Sequence, residues 1–162
     1  MNTKRALFLA LITTVVSAAS ASAQAGTSVS QSPQTLGITV SAIDDVTASG
    51  SPSITLSAAG SAGSASGSLA YSTNSDTARK VVVKMNAVTS GLVVELSATT
   101  SGVGTSLHLP GGELELTTAD QELINGIVSG SGTASLGYKA TATLALKPGN
   151  YDKTVTYTLL AP

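Results

Sequence analysis

The sequence predicts an all-β chain, an antiparallel sandwich of seven to nine strands with at most one short helical turn. Two observations carry that expectation. Apolar residues recur at every second position through most of the chain, the period of a half-buried strand. Clusters of Gly, Ser, Asn and Pro separate these runs, and no amphipathic helix intervenes to build a parallel crossover. The 162 residues suit one domain, with 42% hydrophobic, 10% charged and 3% aromatic residues.

Met1–Ala23 reads as a secretory signal. Lys4 and Arg5 precede the apolar run Ala6–Val16, and Ala21-Ser22-Ala23 offers a small-residue cleavage site before Gln24. An exported protein is therefore expected, whether extracellular, cell-surface or periplasmic. No apolar stretch reaches the roughly 20 residues that a membrane span needs, so none is expected in the mature chain. Both leader charges are basic, which makes the remainder more acidic than the formal net charge of −1. More than half of that remainder is Ser, Thr, Gly and Ala, a composition of strands and turns. Polar Gln24–Thr35 reads as a flexible N-terminal arm, and Leu36–Pro162 as the sandwich domain.

Within the domain, Leu36, Ile38, Val40 and Ala42 alternate with Gly37, Thr39 and Ser41, the pattern of a first strand ended by Asp44-Asp45. Ile54 and Leu56 mark a second over Ser53–Ser57, and Ala58–Ser68, which holds only Ala, Gly and Ser, reads as a loop. Leu69 and Tyr71 share a face of the next strand, closed by the turn cluster Ser72–Asp76. Val81, Val83 and Met85 point inward from Lys80–Met85, as do Leu92, Val94 and Leu96 from the strand after it. Leu107 and Leu109 precede Pro110-Gly111-Gly112, and Leu114 and Leu116 follow, which predicts a hairpin about a type II turn.

Thr118–Ile127 breaks the alternation. Thr118 with Gln121 resembles a capping box, and Asp120 and Glu122 suit a helix start, so one helical turn is expected there. The longest strand should follow, with Leu136, Tyr138, Ala140, Ala142, Leu144 and Leu146 on one face. After the turn Lys147–Asn150, a C-terminal strand places Val155, Tyr157 and Leu159 opposite Thr154, Thr156 and Thr158.

Little in the sequence points to chemistry. The absence of Cys removes disulfides, thiolate metal sites and cysteine nucleophiles. His108, the only imidazole, has no identifiable nucleophile or orienting carboxylate, and no strand–helix nucleophile elbow is present. Asp44-Asp45 lacks the spacing of a calcium loop, and Glu113 and Glu115 alternate on what reads as a solvent face. No catalytic residue, metal or cofactor is expected. Arg79, Lys80 and Lys84 form the one positive cluster and read as a charged strand edge. With no Trp and only the leader's Phe8, nucleic-acid binding is not expected. Of the four tyrosines, Tyr71, Tyr138 and Tyr157 lie on apolar faces and read as core, unlike Tyr151.

The stretch Pro148-Gly149-Asn150-Tyr151 followed by alternating Thr and Val through Leu159 resembles the closing motif of secreted fimbrial-type sandwiches, closest to the spore coat U/pilin-like group. Tyr71-Ser72-Thr73-Asn74 ahead of Val81–Met85 is similar to a related bacterial surface-domain pattern. The resemblance implies an immunoglobulin-like or pilin-like sandwich acting as a structural or adhesion-type surface subunit. The chain departs from chaperone–usher pilins in having no disulfide and no penultimate aromatic.

The expected function is thus a non-enzymatic exported subunit of a bacterial surface filament, coat or appendage that self-associates, or joins related subunits, by β-strand addition. Leu36, Ile38, Val40 and Ala42 form one candidate strand for donation, and Val155, Tyr157 and Leu159 the other. Pairing within the same sandwich is the better reading for the C-terminal strand, while the N-terminal one suits either use. The alternative function is a monomeric extracellular ligand- or carbohydrate-binding or adhesion module.

Overall fold

The computed structural model describes residues 33–58 and 60–162. The predicted signal and residues 24–32 of the predicted arm lie outside the described residues. Contacts divide the chain into Met1–Ile38 and Thr39–Pro162. Of the first unit, residues 33–38 are described and carry no strand. The second unit is an all-β sandwich, and among the described residues there is no helix. Its strands are β1 (Asp44–Ser49), β2 (Ala62–Thr73), β3 (Arg79–Met85), β4 (Leu92–Gly102), β5 (Thr105–Ser106), β6 (Leu114–Glu115), β7 (Gln121–Ile127), β8 (Gly130–Ala142) and β9 (Val155–Leu160). They form a five-stranded sheet, β1-β2-β8-β4-β6, and a four-stranded sheet, β5-β7-β3-β9, antiparallel throughout.

The core fills from the predicted inward faces. Leu69 and Tyr71 of β2, Val81, Val83 and Met85 of β3, Leu96 and Ala98 of β4, and Leu136 and Tyr138 of β8 are all buried in one cluster. Each such Leu or Val withdrawn from water contributes roughly 1.5–3 kcal/mol. Val155, Tyr157 and Leu159 of β9 pack against this cluster, as their alternation predicts.

Several local expectations are corrected by the structure. Leu36–Ala42 is not a half-buried strand: it carries no strand, and Leu36, Ile38 and Val40 are 81%, 77% and 78% exposed. Asp44-Asp45 does not end a strand but opens β1, which occupies the edge of β2 from Thr73 to Ser68. Thr73 donates to Asp44 Oδ1 at 2.6 Å and Arg79 pairs with Oδ2 at 3.2 Å, so this carboxylate is satisfied inside a strand start. Those two contacts, the hydroxyl bond first, hold the Asp44 carboxyl below its usual range.

Part of the Ala/Gly/Ser tract is strand, because β2 begins at Ala62. Gly63, Ala65 and Gly67 alternate toward the interior with exposed Ser64, Ser66 and Ser68. Period two is present but written in residues too small to register as hydrophobic. Large neighbours supply the missing volume. A Cβ on Gly63 would stand 2.7 Å from Ile54 Cγ2, and one on Gly67 would stand 3.3 Å from the Tyr138 ring.

The predicted helical turn is strand β7, paired to β3 and β5. Leu123, Ile124 and Ile127 are fully buried, and that burial outweighs a weak capping signal. Gln121, read as a capping residue, instead braces the preceding loop: Thr117 N–H donates to its Oε1, and its Nε2 donates to Glu115 O, both at 2.9 Å. Gly126, at φ 67°, lies in the register shift between Ile127 and Ile124, where a bulge needs a left-handed residue.

The Pro110 turn forms, with Gly112 N–H donating to Leu109 O at 2.9 Å, yet β5 and β6 on either side join different sheets. The turn is a corner between layers, which leaves Leu107 and Leu109 44% and 54% exposed. Finally, Ser53–Ser57 is not a strand, and β8, the longest as expected, stops at Ala142 with Leu144 85% exposed.

One packing contact offers a direct stability test. Tyr71 donates to Val103 O at 2.7 Å, and a Cβ on Gly132 would lie 2.6 Å from ring atoms of Tyr71. The ring cannot retreat without breaking its bond. Gly132→Ala is therefore expected to cost ~1–3 kcal/mol, and Tyr71→Phe ~1 kcal/mol, both read as lowered urea midpoints at unchanged slope.

Candidate functional site

The described residues hold no group of three His, Cys, Asp or Glu arranged for a metal ion. His108 Nδ1 lies 3.4 Å from Gly112 O, while Glu113 accepts from Gly111 N–H at 3.0 Å, so both side chains engage the Pro110 corner. Arg79, Lys80 and Lys84 do not guard an edge, because β3 is interior to its sheet. They pair instead with Asp44, Glu122 and Asp120, at 3.2, 3.8 and 3.1 Å, respectively. No helix among the described residues is long and apolar enough to cross a membrane.

The distinctive feature is a groove of about 1050 Å³ at one pole of the sandwich. It arises because β1 stops at Ser49, and the chain beyond it crosses inward rather than continuing along the edge of β2. Ser51–Ser57 forms one wall, with Ile54 and Leu56 half-buried, and the start of β9 with residues 147–153 forms the other. Leu92, Val94, Tyr138, Ala140 and Ala142, from the larger sheet, line it between them. The main chain is under-used on both walls. Among the described residues, 51–57 makes no backbone–backbone hydrogen bond, and β9 pairs only with β3. Such walls can accept an extended chain.

Tyr138 and Tyr157 meet in this groove, their hydroxyls 2.6 Å apart, and so link β8 to β9 across the two sheets. Two hydroxyls carry two protons, and their mutual bond uses one. The pair thus retains an O–H donor for a further acceptor. Burial raises the Tyr157 hydroxyl above its usual range, reinforced by Tyr138, and burial likewise raises Tyr138.

The opposite pole is organised by Asn74. Its Oδ1 accepts from Ile43 N–H and its Nδ2 donates to Ser41 O, both at 2.8 Å, while Asn74 N–H donates to Ile43 O. Asn74 therefore holds the chain immediately before β1. Sequence reading places Asn74 in a turn cluster and in the Tyr71–Asn74 pattern but assigns it no clamp, and it misses the groove because Ser51–Ser57 and β9 are far apart in the chain. The alternation of Ile54 and Leu56 was the available signal. Of the candidate segments, Val155, Tyr157 and Leu159 sit in edge strand β9, with Val155 and Tyr157 lining the groove. Leu36, Ile38, Val40 and Ala42 are exposed and in no strand.

No protein-family model matches this chain, and no significant match was found among curated proteins or solved structures. The functional reading rests on the chain's own geometry.

The tyrosine pair makes stability sensitive to alkali. Both folded-state hydroxyls titrate above the unfolded value of ~10, so unfolding releases protons that the folded state keeps. Their contribution is present in full below pH ~10 and is lost as pH rises beyond it. The urea midpoint is expected to fall from about pH 9 to 11, and Tyr157→Phe should flatten that fall without abolishing it, leaving the slope due to Tyr138 and Tyr71, both raised by burial.

Proposed function

We propose that this chain is an exported, non-enzymatic structural subunit of a bacterial surface filament, coat or appendage. In this reading the sandwich is immunoglobulin-like or pilin-like, and it assembles by β-strand addition. The observation that carries it is the exposure of Leu36, Ile38 and Val40 at alternate positions in a segment without strand pairing. Large apolar side chains left in water at period two are what an added strand needs. Main-chain bonds then supply affinity and the alternate side chains supply register. The half-open edge strand β9 supports the same reading, since an exposed edge is a template for another strand.

A second reading, a monomeric ligand- or carbohydrate-binding module, is favoured by the groove and by partly exposed Tyr151 on its lining. Light scattering separates the two. The full chain is expected to form species larger than a monomer. Ile38→Asp and Val40→Asp should shift it to monomer with stability altered by less than ~0.5 kcal/mol, as suits exposed positions. A strictly monomeric parent, or assembly indifferent to both substitutions, overturns strand addition by this segment.

A further inference from the structure

We propose that the groove binds an acidic oligosaccharide, a run of uronic-acid sugars whose carboxylates meet Lys147 and Lys153 and whose hydroxyls meet the Tyr138–Tyr157 pair. The proposal rests on the ligand-binding reading of the groove and is independent of strand addition.

The first argument is charge. The chain is acidic overall, yet the groove is not. Among the described residues, Arg79, Lys80, Lys84 and Lys139 each pair with a carboxylate. Lys147 and Lys153 make no such pair, and both line the groove, where Asp152 is the one acidic residue. Lys153 is positioned by a neutral partner: its Nζ donates to Thr89 Oγ1 at 2.6 Å, which leaves two N–H donors and the full charge. The cations that the protein leaves without a counter-charge thus share one concave surface, and an anion is its complement.

The second argument is span. Lys153, Val155 and Tyr157 stand at alternate positions and all line the groove. Four residues of extended chain cover about 13 Å, so the ammonium and the phenol are rooted too far apart to grip a single sugar ring. A short oligosaccharide reaches both.

The third argument is the mixture of surfaces between those points. Half-buried Ile54, Leu56 and Val155 lie beside the exposed hydroxyls of Ser53, Thr55 and Ser57. A sugar ring matches both, with an apolar C–H face and hydroxyls that donate and accept. The spare proton of the tyrosine pair also needs an acceptor. A sugar oxygen supplies one, whereas the hydrocarbon of a fatty-acid anion would leave that O–H unpaired at a cost. Tyr151 adds to the fit: its hydroxyl donates to Lys147 O at 2.7 Å, which steadies a partly exposed ring on the lining for a sugar face.

Titration calorimetry on the full chain tests the assignment, with hexamers of galacturonate, mannuronate and guluronate, the methyl ester of each, and decanoate. At least one uronate is expected to bind saturably, one per chain, and its methyl ester at least about tenfold more weakly. Lys153→Met keeps the stem and removes the charge, and should weaken the acid about tenfold while sparing the ester. Lys84→Met removes an equal charge outside the groove and should change neither. Weakening by Lys84→Met as large as that by Lys153→Met overturns the site in favour of diffuse surface charge. If an ester binds as tightly as its acid, the groove takes sugars but the acidic class falls. Decanoate bound with every uronate silent makes the ligand a lipid anion and removes the oligosaccharide. If nothing in the panel binds, this proposal and the ligand-binding reading fall together.

Discussion

The bond between the Tyr138 and Tyr157 hydroxyls joins the two sheets at the pole where they part. The sandwich has no disulfide and few large side chains, so cohesion there depends on long residues reaching across small ones. Tyr138 also lies over Gly67, while Ile54 and Leu56 cover Gly63. The small residues of β2 and the bulky residues facing them are two halves of one packing solution. At ordinary interior density neither half can change size alone.

At the opposite pole the interactions are polar. Asp44 is gripped by Thr73 and Arg79, and Asn74 binds the backbone on either side of Ala42. These bonds set where the N-terminal chain meets the sandwich. One end of the domain is thus closed by a hydrogen-bonded clamp, whereas the other opens into a groove beside residues 51–57, which make no backbone–backbone hydrogen bond among the described residues. That asymmetry gives the molecule a direction, which a two-fold symmetric contact would not use.

Much of the fold was legible at period two. Much of the inward faces of β3, β8 and β9 could be read from alternation, although Val82 of β3 is buried as well as its neighbours Val81 and Val83. Reading failed where size or context replaced hydropathy. The start of β2 looked like low complexity, since Gly and Ala mark its buried face. β7 looked helical because Gln121 and Asp120 suit a cap, though Leu123 and Ile124 are needed inside the sandwich. Leu36–Ala42 looked half-buried because large apolar side chains alternate along it, although Leu36, Ile38 and Val40 are exposed in this fold. Half of the candidate site, β9, was visible in this way, while the facing wall was not.

By itself the sequence determined the all-β class and the buried faces of several strands, since these follow from composition and local period. Only the tertiary structure decided which strands pair, that Pro110 turns a corner between sheets, and that Asn74 and the groove occupy opposite poles. Those outcomes depend on contacts between residues distant in the chain. Alternation specifies which face a strand must bury, and it is silent on what buries it.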